Sequence, residues 1–276
     1  MERQNIAQIL KEAKIDIRRE YDRLYSLFYL NRQCQVNNEL ISLRDYCAYS
    51  FFSMPFRGTC LSLDDFDDYY GFHFEKVPTN FDLNYLLLFC EYSYNLAICA
   101  YPANQSFLNS FYAYNQQPQF YVQQVLTVVD LIGCMVTKQD EYDQMFIIVE
   151  KNPAAIAVAE ISDPSVSYKV VEYNHYSLKG NLDRKLSILK TLADEIEPKR
   201  SKLKNIPGSI ESELFQMFQK FVRHNNQGNH TIASMTPDEI EATYDDIYQM
   251  WLLAELELDN VERKKRAKEL LGKINE

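Results

Sequence analysis

At 276 residues the chain is long enough for one large or two modest domains, each with its own core. Hydrophobic residues at 46%, charged residues at 25% and only seven glycines describe an ordinary helix-rich globular protein. The net charge of −10 argues against a nucleic-acid binder that relies on a broad basic surface, because such binding is driven by neutralising phosphates, but it leaves room for a nuclease working from a small local site.

The first 140 residues read as a helical, aromatic-rich region. Ile6, Leu10, Ala13, Ile17, Tyr21, Leu24 and Phe28 recur at helical spacing and predict an amphipathic helix over 3–28. A second helix is expected from about 38 to 52, ending before Met54-Pro55, where the proline restricts the residue before it. Asp64, Asp65, Asp67 and Asp68 are read as carboxylates at the positive end of a helix, since no calcium-loop glycine or terminal glutamate is correctly spaced. Residues 81–101 are apolar on most sides and predict a central buried helix. A linker over 104–119 precedes another helix through Val122, Val125, Leu126, Val129 and Ile132. The dense tyrosines and phenylalanines of 21–121 are read as core packing in preference to a base-stacking surface.

Six cysteines, Cys34, Cys47, Cys60, Cys90, Cys99 and Cys134, are scattered without a Cys-x-x-Cys pair and read as buried reduced thiols, with no metal site. The polar Met1–Asn5 start reads as lacking a signal peptide, and the apolar runs are too short to span a bilayer, so a cytoplasmic protein with no membrane partner is expected.

Composition then changes. Met145–Val149, Ala155–Ala159 and Tyr168–Tyr173 are short β-prone runs separated by Lys-Asn-Pro and Ser-Asp-Pro-Ser, which predicts a small antiparallel three-strand meander over 141–176. His175, at its end, is read as structural. A helix with Leu182, Leu186, Leu189, Ala193 and Ile196 on one face follows, bends at Glu197-Pro198, and is succeeded by Lys199, Arg200, Lys202 and Lys204, either a guide for RNA or a cationic complement to a helix C-terminus. Pro207-Gly208 turns the chain into a helix with Ile210, Leu214, Met217, Phe218, Phe221 and Val222 on its inner face. Thr236-Pro237-Asp238-Glu239 is a capping box with proline at the first helical position. The helix it opens carries Ile240, Tyr244, Ile247, Trp251, Ala254, Leu258 and Val261 in alternating steps of four and three, a seam for another helix. The overall expectation is a mainly α (α+β) fold.

Between the last two helices lie Arg223, His224, Asn225, Asn226, Gln227, Gly228, Asn229 and His230. A fixed guanidinium and an imidazole titrating near pH 6.5 (roughly) can handle a phosphodiester. The alternative is that Arg223 pairs with Asp245 or Asp246 while the histidines and asparagines cap a helix C-terminus. No Walker loop, dinucleotide fingerprint, metalloprotease helix or nucleophile elbow occurs, so no cofactor is expected.

An arginine, a polar residue and a nearby histidine between two long helices resemble the motif of the HEPN superfamily, and the Arg-His-Asn-Asn-x-Gly-Asn-His form resembles the C-terminal domains of AbiJ-like abortive-infection proteins. The resemblance covers the last third of the chain and makes 177–276 a HEPN-like helical domain. It implies a metal-independent endoribonuclease with its site at a homodimer interface of the C-terminal helices, acting on RNA as an anti-phage or toxin effector, with an antitoxin or regulatory partner. Arg223 and His230 would then be catalytic, with His224, Asn225 and Asn229 contacting substrate. Other members of the superfamily have lost cleavage, so a non-catalytic nucleotide- or protein-binding module stands beside that reading.

Overall fold

The computed structural model of the chain describes residues 15–36, 38–103, 117–138, 145–223, 232 and 234–274. The fold is mainly helical, with two small two-stranded sheets, and it divides into two units, Met1–Ile148 and Val149–Glu276.

In the first unit, α1 (Ile17–Tyr25) begins where the Asp16 carboxylate accepts the Arg19 N–H at 3.0 Å, and it continues as a π-helical turn, Ser26–Leu30. A hairpin that the sequence reading missed follows. Strands β1 (Cys34–Val36) and β2 (Glu39–Ile41) pair antiparallel across a two-residue turn in which Asn38 takes φ = +68°, a conformation asparagine tolerates better than most residues. Helix α2 (Leu43–Ser50) is capped by Ser42, and α3 (Leu63–Tyr70) by Ser62. The aspartates of α3 occupy its first turns, as the dipole argument expects, and α3 ends at Gly71 with φ = +74°. Helices α4 (Leu83–Ala103) and α5 (Gln117–Leu131) pack on each other. The expected central helix is therefore present. Leu86, Phe89, Cys90, Leu96 and Ala97 are buried on several sides of it. Most of the expected linker lies outside the described residues.

Many of the aromatic residues fill this core, whereas Tyr49, Phe52, Tyr69, Tyr70 and Phe120 are exposed. Tyr21, Phe28 and Phe74 surround Phe89, and Tyr92 packs on Phe74, with ring centroids 5.0–6.3 Å apart. Their hydroxyls end on internal acceptors: Tyr92 donates to Asp67 at 2.7 Å and Tyr121 to Ser93 at 2.8 Å. None of the six cysteines is in a disulfide and five are buried, with burial raising the Cys34 thiol to about 12.

Strand β3 (Cys134–Lys138) pairs antiparallel with β4 (Phe146–Glu150), whose last residues open the second unit. Only the first expected strand of the meander exists. The two later runs are helices, α6 (Pro153–Ile161) and α7 (Pro164–Glu172). The reason lies in the residues read as turns. Asn152 and Asp163 are N-caps whose side chains accept from Ala155 N–H at 3.1 Å and Ser165 N–H at 2.9 Å, and Pro153 and Pro164 each sit at a first helical position. Capped starts outweigh the modest β preference of a few valines and isoleucines.

The second unit continues with α8 (Leu182–Ile196), the short α9 (Arg200–Lys204), α10 (Glu211–Met217) and α11 (Pro237–Ile274). The capping box forms as expected: Thr236 N–H donates to Glu239 at 2.7 Å and Glu239 N–H returns to the Thr236 hydroxyl at 3.3 Å. The α11 seam is buried at Tyr244, Ile247, Trp251 and Ala254, against Ile188, Leu189, Leu192 and Ile196 of α8 and Leu214, Phe218 and Val222 of the α10 segment. Val261, expected to extend the seam, is exposed.

Trp251 sits fully buried in this core, and its indole N–H has no hydrogen-bond partner there. Its contribution is therefore volume, not polarity. Trp251→Phe is expected to lower unfolding free energy by about 1 kcal/mol, because the ring is kept and an unmet donor is removed, whereas Trp251→Ala should lose about 3–5 kcal/mol. Urea denaturation of the two variants checks the difference.

Candidate functional site

The helix that begins as α10 widens into a π-helical turn over Phe218–Arg223. Of its expected inner face, Leu214, Phe218 and Val222 are buried and Ile210, Met217 and Phe221 half-buried, which leaves Arg223 at the rim of the second unit's helices with its side chain 32% exposed. The guanidinium turns toward the end of α8. Nη1 lies 2.7 Å from Glu197 Oε2, Nη2 lies 3.6 Å from Asp194 Oδ1, and Nη2 donates to the Ala193 carbonyl at 3.5 Å. The expected partners, Asp245 and Asp246, are not the ones used. Asp245 instead accepts from Lys185 Nζ at 2.7 Å and from the Tyr173 hydroxyl at 2.9 Å. His224, Asn225, Asn229 and His230 lie outside the described residues, so of the expected constellation only Arg223 has described geometry.

The strength of these contacts decides what Arg223 can do. Asp194 is 81% exposed and Glu197 is 40% exposed, and ion pairs of that exposure are worth about 0–1 kcal/mol. The Glu197 Oε2 contact is a charge contact and not an aligned hydrogen bond. Asp194 is the exposed and easily replaced partner, whereas Glu197 Oε2 is itself buried and relies on the Arg223 charge.

The basic run 199–204 is largely committed elsewhere. Lys199 Nζ contacts Glu195 and lies 3.0 Å from both carboxylate oxygens of Glu255. Arg200 donates to Glu211 at 2.6 Å and lies over the Phe215 ring at 4.4 Å. Two of the four cations thus tie α8 and α9 to α10 and α11, which favours the structural alternative for the run. Glu255 went unnoticed in the sequence, although a glutamate one turn after Trp251 on a seam helix is itself a signal of a buried charge. Burial and the adjacent Glu195 carboxylate push Glu255 up to about 7, against the attraction of Lys199. For Lys199, burial alone would depress the pKa, but Glu195 and Glu255 outweigh it and the net direction is upward.

A second feature of this unit, also not anticipated, is an open cleft of about 780 Å³ lined by residues of the Glu150–Pro153 and Tyr173–Lys179 segments, by Lys185 and by the first half of α11. Its floor is a closed polar network. Lys185, 6% exposed, is held by Glu241 at 2.8 Å and by Asp245, and Tyr173 stacks on Tyr248 with centroids 4.0 Å apart. Lys185 and the Gly180 N–H outweigh the effect of burial and hold Glu241 below its usual carboxylate pKa. His175 caps the 3-10 turn Tyr176–Leu178, its Nδ1 accepting the Ser177 N–H at 3.2 Å, which is the structural role expected of it. Arg223 and its partners do not line this cleft.

No group of three or more His, Cys, Asp or Glu that could hold a metal ion occurs among the described residues, and none of the described helices is long and apolar enough to cross a membrane. No protein-family model, curated protein or solved structure matches the chain.

The carboxyl–lysine cluster generates a pH dependence. Glu255 binds its proton more tightly in the folded chain, about 7, than at the ordinary value of 4.5, so its contribution to stability is complete below pH 4.5 and is lost as pH rises through 7. Glu255→Gln should flatten that fall, whose slope cannot exceed about 1.4 kcal/mol per pH unit for one proton. Denaturation midpoints of parent and variant between pH 5 and pH 8 (about the working range) check it. Equal slopes would contradict the assignment.

Proposed function

We propose that the second unit is a metal-independent endoribonuclease of the HEPN type, active as a homodimer through its C-terminal helices. Arg223 carries this reading. It follows directly on the buried Phe218 and Val222, stands partly open at the rim, and is held by Glu197, by the Ala193 carbonyl and by the exposed Asp194, the last of which a phosphate can displace. The capped start of α11 supports it further, because the segment bearing His224, Asn225, Asn229 and His230 is bounded on both sides by helices anchored in one core.

In the proposed reaction one imidazole removes the proton of an RNA 2′-hydroxyl. The 2′-oxygen bonds to phosphorus, the bond from phosphorus to the 5′-oxygen breaks, and a second acid protonates the leaving oxygen, which yields a cyclic phosphate and a free 5′-hydroxyl. His230 is one proton carrier and the partner copy supplies the other. Arg223 stabilises the charge that accumulates on the phosphoryl oxygens. His224, Asn225 and Asn229 position ribose and phosphate.

The pairing of Arg223 with Glu197 favours a second reading, a non-catalytic module in which the arginine ties its helix to α8 and binds a nucleotide or protein partner. Incubating the purified protein with RNA in EDTA separates the two. The nuclease reading expects cleavage with 2′,3′-cyclic ends and a loss of about 100-fold or more in rate for Arg223→Ala and for His230→Ala. The module reading expects no cleavage by the parent and a lower melting temperature for Arg223→Ala. Cleavage at parental rate in both variants would defeat the proposed mechanism.

A further inference from the structure

Helix α11 leaves its core before it ends. From Asn260 to Ile274 every residue is exposed, a rod of about 22 Å at 1.5 Å per residue that no other part of the described chain covers. This rod reverses the charge of the protein. It carries six basic and two acidic residues, on a chain whose net charge is −10. The cations are not equivalent. Arg263 is paired with Asp259 at the root of the rod, and Arg266 lies 4.0 Å from the same carboxylate. Lys264, Lys265 and Lys268 form no ion pair among the described residues, and their spacing of three and four puts them side by side on one face.

Such an arrangement works against the helix. Like charges at these spacings destabilise it by about 0.2–0.5 kcal/mol per pair; Glu262 and Glu269, three before and four after Lys265, offset part of this, while Lys264 and Lys268 have no acid of the rod at those spacings, and no core residue benefits. A local rule broken without a compensating internal contact points to an external partner of opposite charge. The apolar residues of the rod, Val261, Ala267, Leu270, Leu271 and Ile274, lie mostly in its last turns and include no aromatic, which is too little for a helix that lies in a lipid interface. The lysine face occupies the earlier turns, next to the core.

We infer that Lys264, Lys265 and Lys268 form a docking face for the sugar–phosphate backbone of RNA, delivering substrate to the second unit of a chain otherwise too acidic to attract it. The choice of RNA as the polyanion rests on the proposed nuclease reading; the existence of the face does not. Local positive charge on a projecting rod raises the concentration of a polyanion near the protein even when the whole molecule repels it.

Binding of the full chain to a labelled single-stranded RNA of about twenty nucleotides, measured by anisotropy over a salt series, tests the face. The RNA carries 2′-O-methyl groups, so that it cannot be cut by the proposed reaction. The triple variant Lys264→Gln/Lys265→Gln/Lys268→Gln should bind at least about tenfold more weakly at low salt, with a log–log salt slope shallower by about 2, while the triple Lys→Arg variant keeps parental binding. Unchanged affinity and slope in the Gln variant, or capture of anionic vesicles in place of RNA, would overturn the inference, as would loss of a dimer without loss of RNA binding. Lysine-dependent binding in a protein that cleaves no RNA would leave this face standing and remove the nuclease reading. Cleavage indifferent to the three lysines would do the reverse.

Discussion

The second unit depends on the alignment of α8 with α11. Lys185, near the start of α8, is held by Glu241 and Asp245, and Lys199, just past its end, by Glu255 further along α11 in the same direction. The two helices therefore run parallel, with their register marked at both ends by an ammonium group between carboxylates. Apolar residues alone would tolerate a slip of one turn, since the seam repeats every three or four positions. A buried lysine set opposite a leucine would not. Charges in such positions add little net stability, because their desolvation consumes most of the attraction, but they penalise the wrong register heavily. Between the two clusters Trp251 fills the centre of the core that they align.

That alignment has consequences for Arg223. The end of α8 projects Asp194 and Glu197 outward while Glu195 turns in toward Lys199 and Glu255, so neighbouring carboxylates along one short stretch serve opposite purposes. The inward ones hold the fold. Asp194, the more exposed of the outer pair, holds the arginine only weakly, while Glu197 holds it more closely. A guanidinium kept charged, oriented and only lightly engaged is what electrostatic stabilisation of a phosphoryl group asks for.

The buried tyrosines of the first unit serve its core, while Tyr49, Tyr69 and Tyr70 are exposed. The buried rings stack on one another and their hydroxyls end on Asp67, Ser93 and the Phe74 carbonyl, all inside the unit. Tyrosine suits this role because it brings aromatic volume together with a hydroxyl that can meet a buried acceptor. Arg44, clamped between Asp64 and Asp67, closes the polar end of that network.

Where a local signal was sufficient, the sequence was enough. The capping box at Thr236, the apolar central helix and much of the inner face of the Arg223 helix follow from interactions within a turn or two of chain. The misreadings came where two local signals competed: Asn152-Pro153 and Asp163-Pro164 can turn a chain or start a helix, and short valine-rich runs after them suit either outcome. The hairpin at Asn38 was missed because strands of three residues are too short to show alternation. What sequence spacing could not decide was partnership across distance. Arg223 with Glu197, Lys199 with Glu255 and Lys185 with Asp245 each join segments whose neighbourhood exists only after the helices pack, and any of several acids would have served on composition alone. The same holds for the basic stretch of α11: its charge is written in the chain, but only the packed unit determines where the core stops covering it.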